Sequence, residues 1–182
     1  MNERVLRRLV LCAAAALLPC AALAADALVA ELEQRLASAG VEAVNGHLTT
    51  PANGATLERL SRQTASCELP AVSLAIRLMR GGNSSAVQAH EESLRTASGR
   101  CTRFVLALAS TGEVPRVCAS QPSWGAAQTA RELRRRIADI DADKLLRSTW
   151  QGRACRAAYV YELKNTRVTL RVAASREQAA AR

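Results

Sequence analysis

Residues 67–101 read CELPAVSLAIRLMRGGNSSAVQAHEESLRTASGRC, and their pattern is the strongest indication of how this chain folds. Pro70 suits the first turn of a helix, and the apolar run that follows it stops at the glycine pair 81–82. Ser84 or Ser85 can then cap a second helix, whose apolar residues share one face. The stretch therefore predicts two helices joined by a tight reversal, with a cysteine at each outer end.

The spacing of apolar residues predicts helices in the rest of the chain as well. A helix is predicted over residues 26–39, with its end at Gly40, and a loop is predicted over 45–55. A strongly amphipathic helix is predicted over 124–140, with Arg136 among the arginines of its polar face. Aromatic residues make up only 3% of the 182 residues, which disfavours a β-sandwich or barrel. We expect an all-α protein built as a small helical bundle.

The C-terminal part of this bundle allows two interpretations. Apolar and polar residues alternate over 166–173, which is typical of a strand, but no partner strand is predicted. A short β element there and a continued helix therefore both remain open. We expect one helical domain over 25–175 and a flexible polar tail over 176–182.

The first 24 residues are typical of a cleaved secretory signal peptide. Three arginines precede an apolar run over 9–16, and Ala22-Leu23-Ala24 provides a small-x-small cleavage site. The run is shorter than the ~20 residues that a membrane-spanning helix needs. The mature protein is therefore expected to be periplasmic or secreted and not to span a membrane.

Four cysteines remain after that cut. An even number of cysteines in an oxidising compartment predicts two disulfides. Cys67 and Cys101 would meet if the helices between them form an antiparallel hairpin. The same geometry would join Cys118, which precedes the 124–140 helix, to Cys155 on the returning segment. We therefore predict the pairs Cys67–Cys101 and Cys118–Cys155.

The positive charge of the mature chain lies in its last third. Residues 124–182 contain thirteen basic and six acidic residues, whereas 25–123 contain nine of each. Export argues against a nucleic-acid partner, and no aromatic stacking platform accompanies the arginines. The candidate binding residues are Arg131, Arg134, Arg135, Lys144, Arg147 and Arg156. The alternative is a solvated face that keeps the protein in solution.

No motif for catalysis is assembled. His90-Glu91-Glu92 begins like a zincin motif but lacks the second histidine, so we interpret it as an exposed polar helix face. Asp139, Asp141 and Asp143 are better explained by helix ends than by a calcium loop. We expect no metal, no cofactor and no enzymatic activity. The tryptophans Trp124 and Trp150 are either core anchors or interface residues, and a core role is favoured.

These features favour a non-catalytic exported protein that binds another protein of the cell envelope. Its broad design resembles the helical, disulfide-bonded amidase immunity proteins of type VI secretion, in export, size and cysteine pairing. That resemblance implies an inhibitor or immunity role against an envelope-acting enzyme, and it assigns no residue. One alternative is a binder of anionic envelope lipid or polysaccharide through the basic C-terminal third. A lesser alternative is an envelope hydrolase with dispersed carboxylates.

Overall fold

The computed structural model describes residues 20–82 and 84–180, with side chains described over 27–82 and 84–172. The regular structure of this part of the chain consists of helices without a strand, which confirms the all-α fold. The helices are α1 (Cys20–Leu48), α2 (Gly54–Ala65), α3 (Leu69–Leu78), α4 (Ser85–Ser98), α5 (Thr102–Leu108), α6 (Val114–Val117), α7 (Ala126–Ala142), α8 (Lys144–Ser148) and α9 (Trp150–Ala180), and a short 3-10 turn (Pro51–Asn53) precedes α2. Residues 1–19 of the predicted signal peptide lie outside the described residues.

Both predicted disulfides are present. Cys67 and Cys101, at the outer ends of the α3–α4 hairpin, are joined with their sulfurs 2.16 Å apart. Cys118 joins Cys155 in α9 with an S–S distance of 2.09 Å. At the start of α4, the Ser84 hydroxyl accepts a hydrogen bond from the Val87 amide, as a helix cap does. Two covalent bonds thus fix two successive helical hairpins.

Helix α3 lies between two apolar clusters, because its buried residues point in two directions. Val72 and Ile76 belong to the larger cluster, which also contains residues of α4, α5, α7 and α9. Leu74 and Leu78 belong to the smaller cluster, which is completed by α1 and α2. A helix that is buried on both sides must be apolar nearly all round. This explains why α3 is the most apolar helix of the predicted mature chain.

The prediction that the first helix ends at Gly40 is wrong in one respect. Gly40 has φ 82° and ψ 171°, so the backbone is kinked there, but the chain resumes a helix and continues to Leu48. Val44 and Leu48 are buried against the smaller cluster, and Asn45 donates a hydrogen bond to the Leu78 carbonyl at 2.9 Å. Tertiary packing therefore makes the first residues of the predicted 45–55 loop helical.

The β alternative for residues 166–173 is also wrong, because they belong to α9. The hydroxyls of Thr166 and Thr169 donate to carbonyls one turn earlier, at 2.9 Å to Glu162 and 3.3 Å to Asn165. Such bonds accommodate threonine within a helix. The helix also continues through residues 176–180, which the sequence assigned to a tail, and residues 181–182 lie outside the described part.

Candidate partner-binding groove

The six basic residues predicted to bind a partner do not form one cluster. Arg135 pairs with Glu132 and Asp139, each at 2.9 Å. Arg156 forms a two-pronged pair with Asp141, at 2.6 and 3.0 Å. Because those two guanidinium groups meet carboxylates of the same chain, part of the predicted positive surface is already neutralised.

The other four predicted residues are exposed. Arg131 and Arg134 lie on α7, and Lys144 and Arg147 lie on the short helix α8. At ~100° per residue, Arg134 and Asp139 lie about 140° apart around α7. Asp139 lines a hollow together with Leu146 of α8, so Arg134 lies away from that side of α7.

A further arginine, Arg103 at the start of α5, lies beside α8 and was not predicted as a binding residue. Its Nε donates to Oδ2 of Asp143 at 2.5 Å. Oδ1 of Asp143 accepts hydrogen bonds from the amides of Leu145 and Leu146, at 2.9 and 3.2 Å, and so caps α8. The hydrogen bond from Arg103 lowers the pKa of Asp143, since it favours the charged carboxylate.

Arg103 and Leu146 line two neighbouring hollows, which together we name the Arg103 groove. The polar hollow has a volume of 320 Å³ and contains Arg100, Asp139 and Asp143 in its wall. The apolar hollow has a volume of 190 Å³ and is lined by Leu106, Ala107, Leu145, Leu146, Thr149, Gln151 and Arg103 itself. The groove thus places an apolar recess directly beside a charged one.

Leu145 is the large exposed apolar residue of this groove. Its surface is 55% exposed, whereas the adjacent Leu146 is only 5% exposed and belongs to the larger cluster. An apolar recess with charged residues at its edge has the layout of an interface, in which an apolar centre is surrounded by a polar rim. The arrangement can take an apolar side chain of a partner while Arg100 and Lys144 meet acidic groups around it.

Arg136 does not belong to the exposed polar face on which the sequence placed it. It is only 4% exposed, and its Nη1 donates to the Arg95 carbonyl at 2.9 Å and to the Tyr159 hydroxyl at 3.2 Å. Its guanidinium lies 5.1 Å from the centroid of the Trp124 ring. Trp124 is half-buried over this cation, while Trp150 is 44% exposed, so the favoured core role is wrong for Trp150.

The prediction of an exposed His90 is also wrong. His90 is fully buried, and its Nε2 lies 3.3 Å from Oδ1 of Asn45. Burial lowers the pKa of His90 to about 4, since the charged ring would lose its hydration. Nδ1 of the ring has no hydrogen-bond partner among the described residues, so a second proton there would have no acceptor. His90 thus forms part of the contact between α4 and α1.

Its neighbour Glu91 and the three aspartates serve ion pairs and a helix end. Glu91 pairs with Arg95 at 3.0 Å and with Arg116 at 2.6 Å.

Over residues 27–82 and 84–172, no group of three or more His, Cys, Asp or Glu side chains is placed to hold a metal ion. In the described residues no helix has the length and apolar character to cross a bilayer. Comparisons with protein-family models, curated proteins and solved structures found no match to this chain.

Proposed function

We propose that the protein is exported and acts without catalysis, by binding another protein through the Arg103 groove. The observation that carries this proposal is the exposure of Leu145 beside the 190 Å³ apolar recess. Because more than half of the Leu145 surface already contacts water, a partner can cover it without displacing a core contact. Burial of that side chain in a complex would contribute about 2 kcal/mol.

The chemistry of the partner follows from the edge of the groove. Arg100 lines its polar recess, and Lys144 lies next to Leu145 on α8. A partner that inserts an apolar side chain and surrounds it with carboxylates would complement both features. The Arg103–Asp143 pair lies between the two recesses, and Arg103 is well exposed there. Acidic groups of the partner can therefore compete for this guanidinium.

The specific form of this proposal is an inhibitor or immunity protein that acts on an enzyme of the cell envelope. The two disulfides support an oxidising compartment, since such bonds persist mainly outside the cytosol. They also fix the helices that form the groove, because Cys101 lines the polar recess and Cys155 lies on α9. A preformed surface loses little conformational entropy on binding, which suits an inhibitor.

Site-specific photo-cross-linking tests the proposal. A photoreactive amino acid is placed at position 145 of the full-length chain, which is expressed in its native cell and irradiated. The matched control carries the same group at the exposed Ala37 of α1, away from the groove. One cross-linked protein from position 145 and none from position 37 supports the proposal. Equal cross-linking at both positions overturns the proposal. So does the absence of cross-linking at position 145 in cells that also express the envelope enzyme proposed as the partner.

A further inference from the structure

Helix α9 carries an exposed apolar stripe on its outer face. At ~100° per residue, positions 150, 157, 161, 168 and 172 fall within about 60° of one another around a helix. All of them are exposed, and they are Trp150, Ala157, Tyr161, Val168 and Val172, which we name the α9 stripe. Tyr161 alone is 70% exposed. Five aromatic residues occur in the whole chain, and two of them lie in this stripe.

Cations follow one side of the stripe. Arg153, Lys164 and Arg171 lie about 60–80° from Tyr161 by helical geometry, all in the same direction, and Arg167 lies just beyond them. A hollow of 410 Å³ adjoins this side, and the described part of its wall consists of Val160, Leu163, Lys164, Arg167, Val168 and Arg171. Its lining combines three aliphatic and three cationic side chains, as a site for an anionic amphiphile would.

The opposite face of α9 is fixed to the core. Cys155 and Tyr159 are fully buried, and Cys155 is held by its disulfide to Cys118. The stripe therefore cannot turn inward, and it presents its side chains along about 33 Å between residues 150 and 172, at ~1.5 Å per residue. A helix with an exposed apolar stripe beside a row of cations can lie along a membrane surface, with its apolar side against the lipid.

We propose that the α9 stripe docks the protein on an anionic phospholipid surface. Trp150 and Tyr161 would lie at the level of the headgroups, where amphipathic aromatic rings are favoured. Lys164 and Arg167 would meet lipid phosphates while the valines contact the upper acyl chains. The proposal goes beyond partner binding, since the hollow beside the stripe and the Arg103 groove share no lining residue. Either can fail without the other.

Vesicle co-sedimentation tests it with protein purified from the exported fraction of cells that express the full-length chain. Vesicles of phosphatidylglycerol and phosphatidylcholine in equal parts are compared with vesicles of phosphatidylcholine alone. One double variant, Lys164→Gln/Arg167→Gln, removes two cations beside the stripe, and another, Tyr161→Ser/Val168→Ser, removes apolar surface. The control Arg35→Gln/Arg62→Gln removes two exposed cations from α1 and α2, so its net charge matches that of the first variant.

We expect binding that requires phosphatidylglycerol and falls as salt rises. It should weaken about 30-fold in Lys164→Gln/Arg167→Gln at low salt, since each cation near an anionic surface contributes about 1 kcal/mol. The Tyr161→Ser/Val168→Ser variant should also lose binding, while the control binds like the wild type. Circular dichroism and the unfolding midpoint confirm that each variant is folded.

A second readout reports on contact with lipid directly. Bromine-labelled phosphatidylcholine included in the anionic vesicles should quench tryptophan fluorescence, and Trp150→Phe should abolish most of that quenching. Failure of the folded wild type to sediment with anionic vesicles overturns the proposal, as does equal weakening in the control variant. Light scattering in the absence of lipid tests for a dimer. If the wild type is dimeric and Tyr161→Ser/Val168→Ser disrupts that dimer, the stripe binds a second copy of the chain, and the lipid assignment is wrong.

Discussion

The guanidinium of Arg136 lies over the ring of Trp124, 5.1 Å from its centroid, and 5.7 Å from the centroid of the Tyr159 ring. The arginine has no carboxylate partner among the described ion pairs, so hydrogen bonds and aromatic rings hold a buried charge. It also lies so close to Gly99 that a Cβ there would come within 2.8 Å of Nη2. Arg136 is therefore a structural residue that connects α7, α4 and α9.

Replacement of Arg136 by alanine should strongly destabilise the fold. Arg136→Ala leaves a cavity and removes the donor to the Arg95 carbonyl, so we expect the free energy of unfolding to fall by about 3 kcal/mol. Arg134→Ala, two residues away and exposed, should change it by less than about 0.5 kcal/mol. Urea unfolding followed by circular dichroism measures both variants. Equal effects of the two substitutions would contradict the structural role of Arg136.

Loss of the first disulfide should destabilise the α3–α4 hairpin. Cys67 and Cys101 are 34 residues apart, and closing a loop of that length contributes about 3–4 kcal/mol in the loop-entropy model. Cys67→Ala/Cys101→Ala should lose about that much stability, measured by urea unfolding of the oxidised protein. The corresponding variant of Cys118 and Cys155 should lose a similar amount, since that separation is 37 residues. An unchanged unfolding midpoint in either variant would contradict this prediction.

The buried His90 should make stability depend on pH. Its pKa is about 4 in the folded protein, against about 6.5 for an exposed histidine. Between these values the unfolded chain binds more protons, so the free energy of unfolding should fall as the pH drops from about 6.5 to about 4. The full loss attributable to this residue is about 3 kcal/mol, and stability above pH ~7 should be unaffected by it.

Comparison with His90→Gln isolates this effect from carboxylates such as Glu113 and Asp143, whose pKa values are lowered and whose contributions are lost at still lower pH. Urea unfolding at a series of pH values should show a wild-type curve that falls more steeply than that of the variant over this window. Parallel curves would mean that His90 does not carry the pH dependence.

Leu145 and Leu146 are adjacent in sequence but should respond very differently to substitution. Leu145→Asp places a charge where water already reaches, so we expect a change in unfolding free energy below about 0.5 kcal/mol. Leu146→Ala removes a buried side chain from the larger cluster and should cost about 2–3 kcal/mol. Thermal and urea unfolding of both variants check this pair. Marked destabilisation by Leu145→Asp would show that Leu145 is not free for a partner.

The fold could be predicted from sequence because its signals are local. Pro70, the glycine pair 81–82 and the spacing of apolar residues place α3 and α4, and that hairpin determines which cysteines meet. The kinked continuation of α1 past Gly40 was missed because it depends on Val44 and Leu48 packing against distant helices. Local patterns carry no information on such contacts.

The candidate site was less predictable for the same reason. Arg103 and Leu145 are 42 positions apart, and only the packing of α5 against α8 and α9 brings them to one groove. Conversely, Arg135 and Arg156 carried the charge that suggested a binding face, but each meets a carboxylate of the same chain. Charge counted along the sequence does not reveal which side chains pair, nor that Arg136 and His90 are buried.

A calorimetric titration of the purified protein with the partner recovered by cross-linking from position 145 measures directly whether the Arg103 groove binds another protein. We predict a saturable one-to-one complex that largely survives moderate salt. Leu145→Asp should weaken its affinity at least about tenfold, since a central interface residue contributes more than about 1–2 kcal/mol to binding. Ala37→Asp should leave the affinity unchanged. Equal affinity of wild type and Leu145→Asp, or binding that vanishes at moderate salt, would show that the protein does not bind its partner through the Arg103 groove.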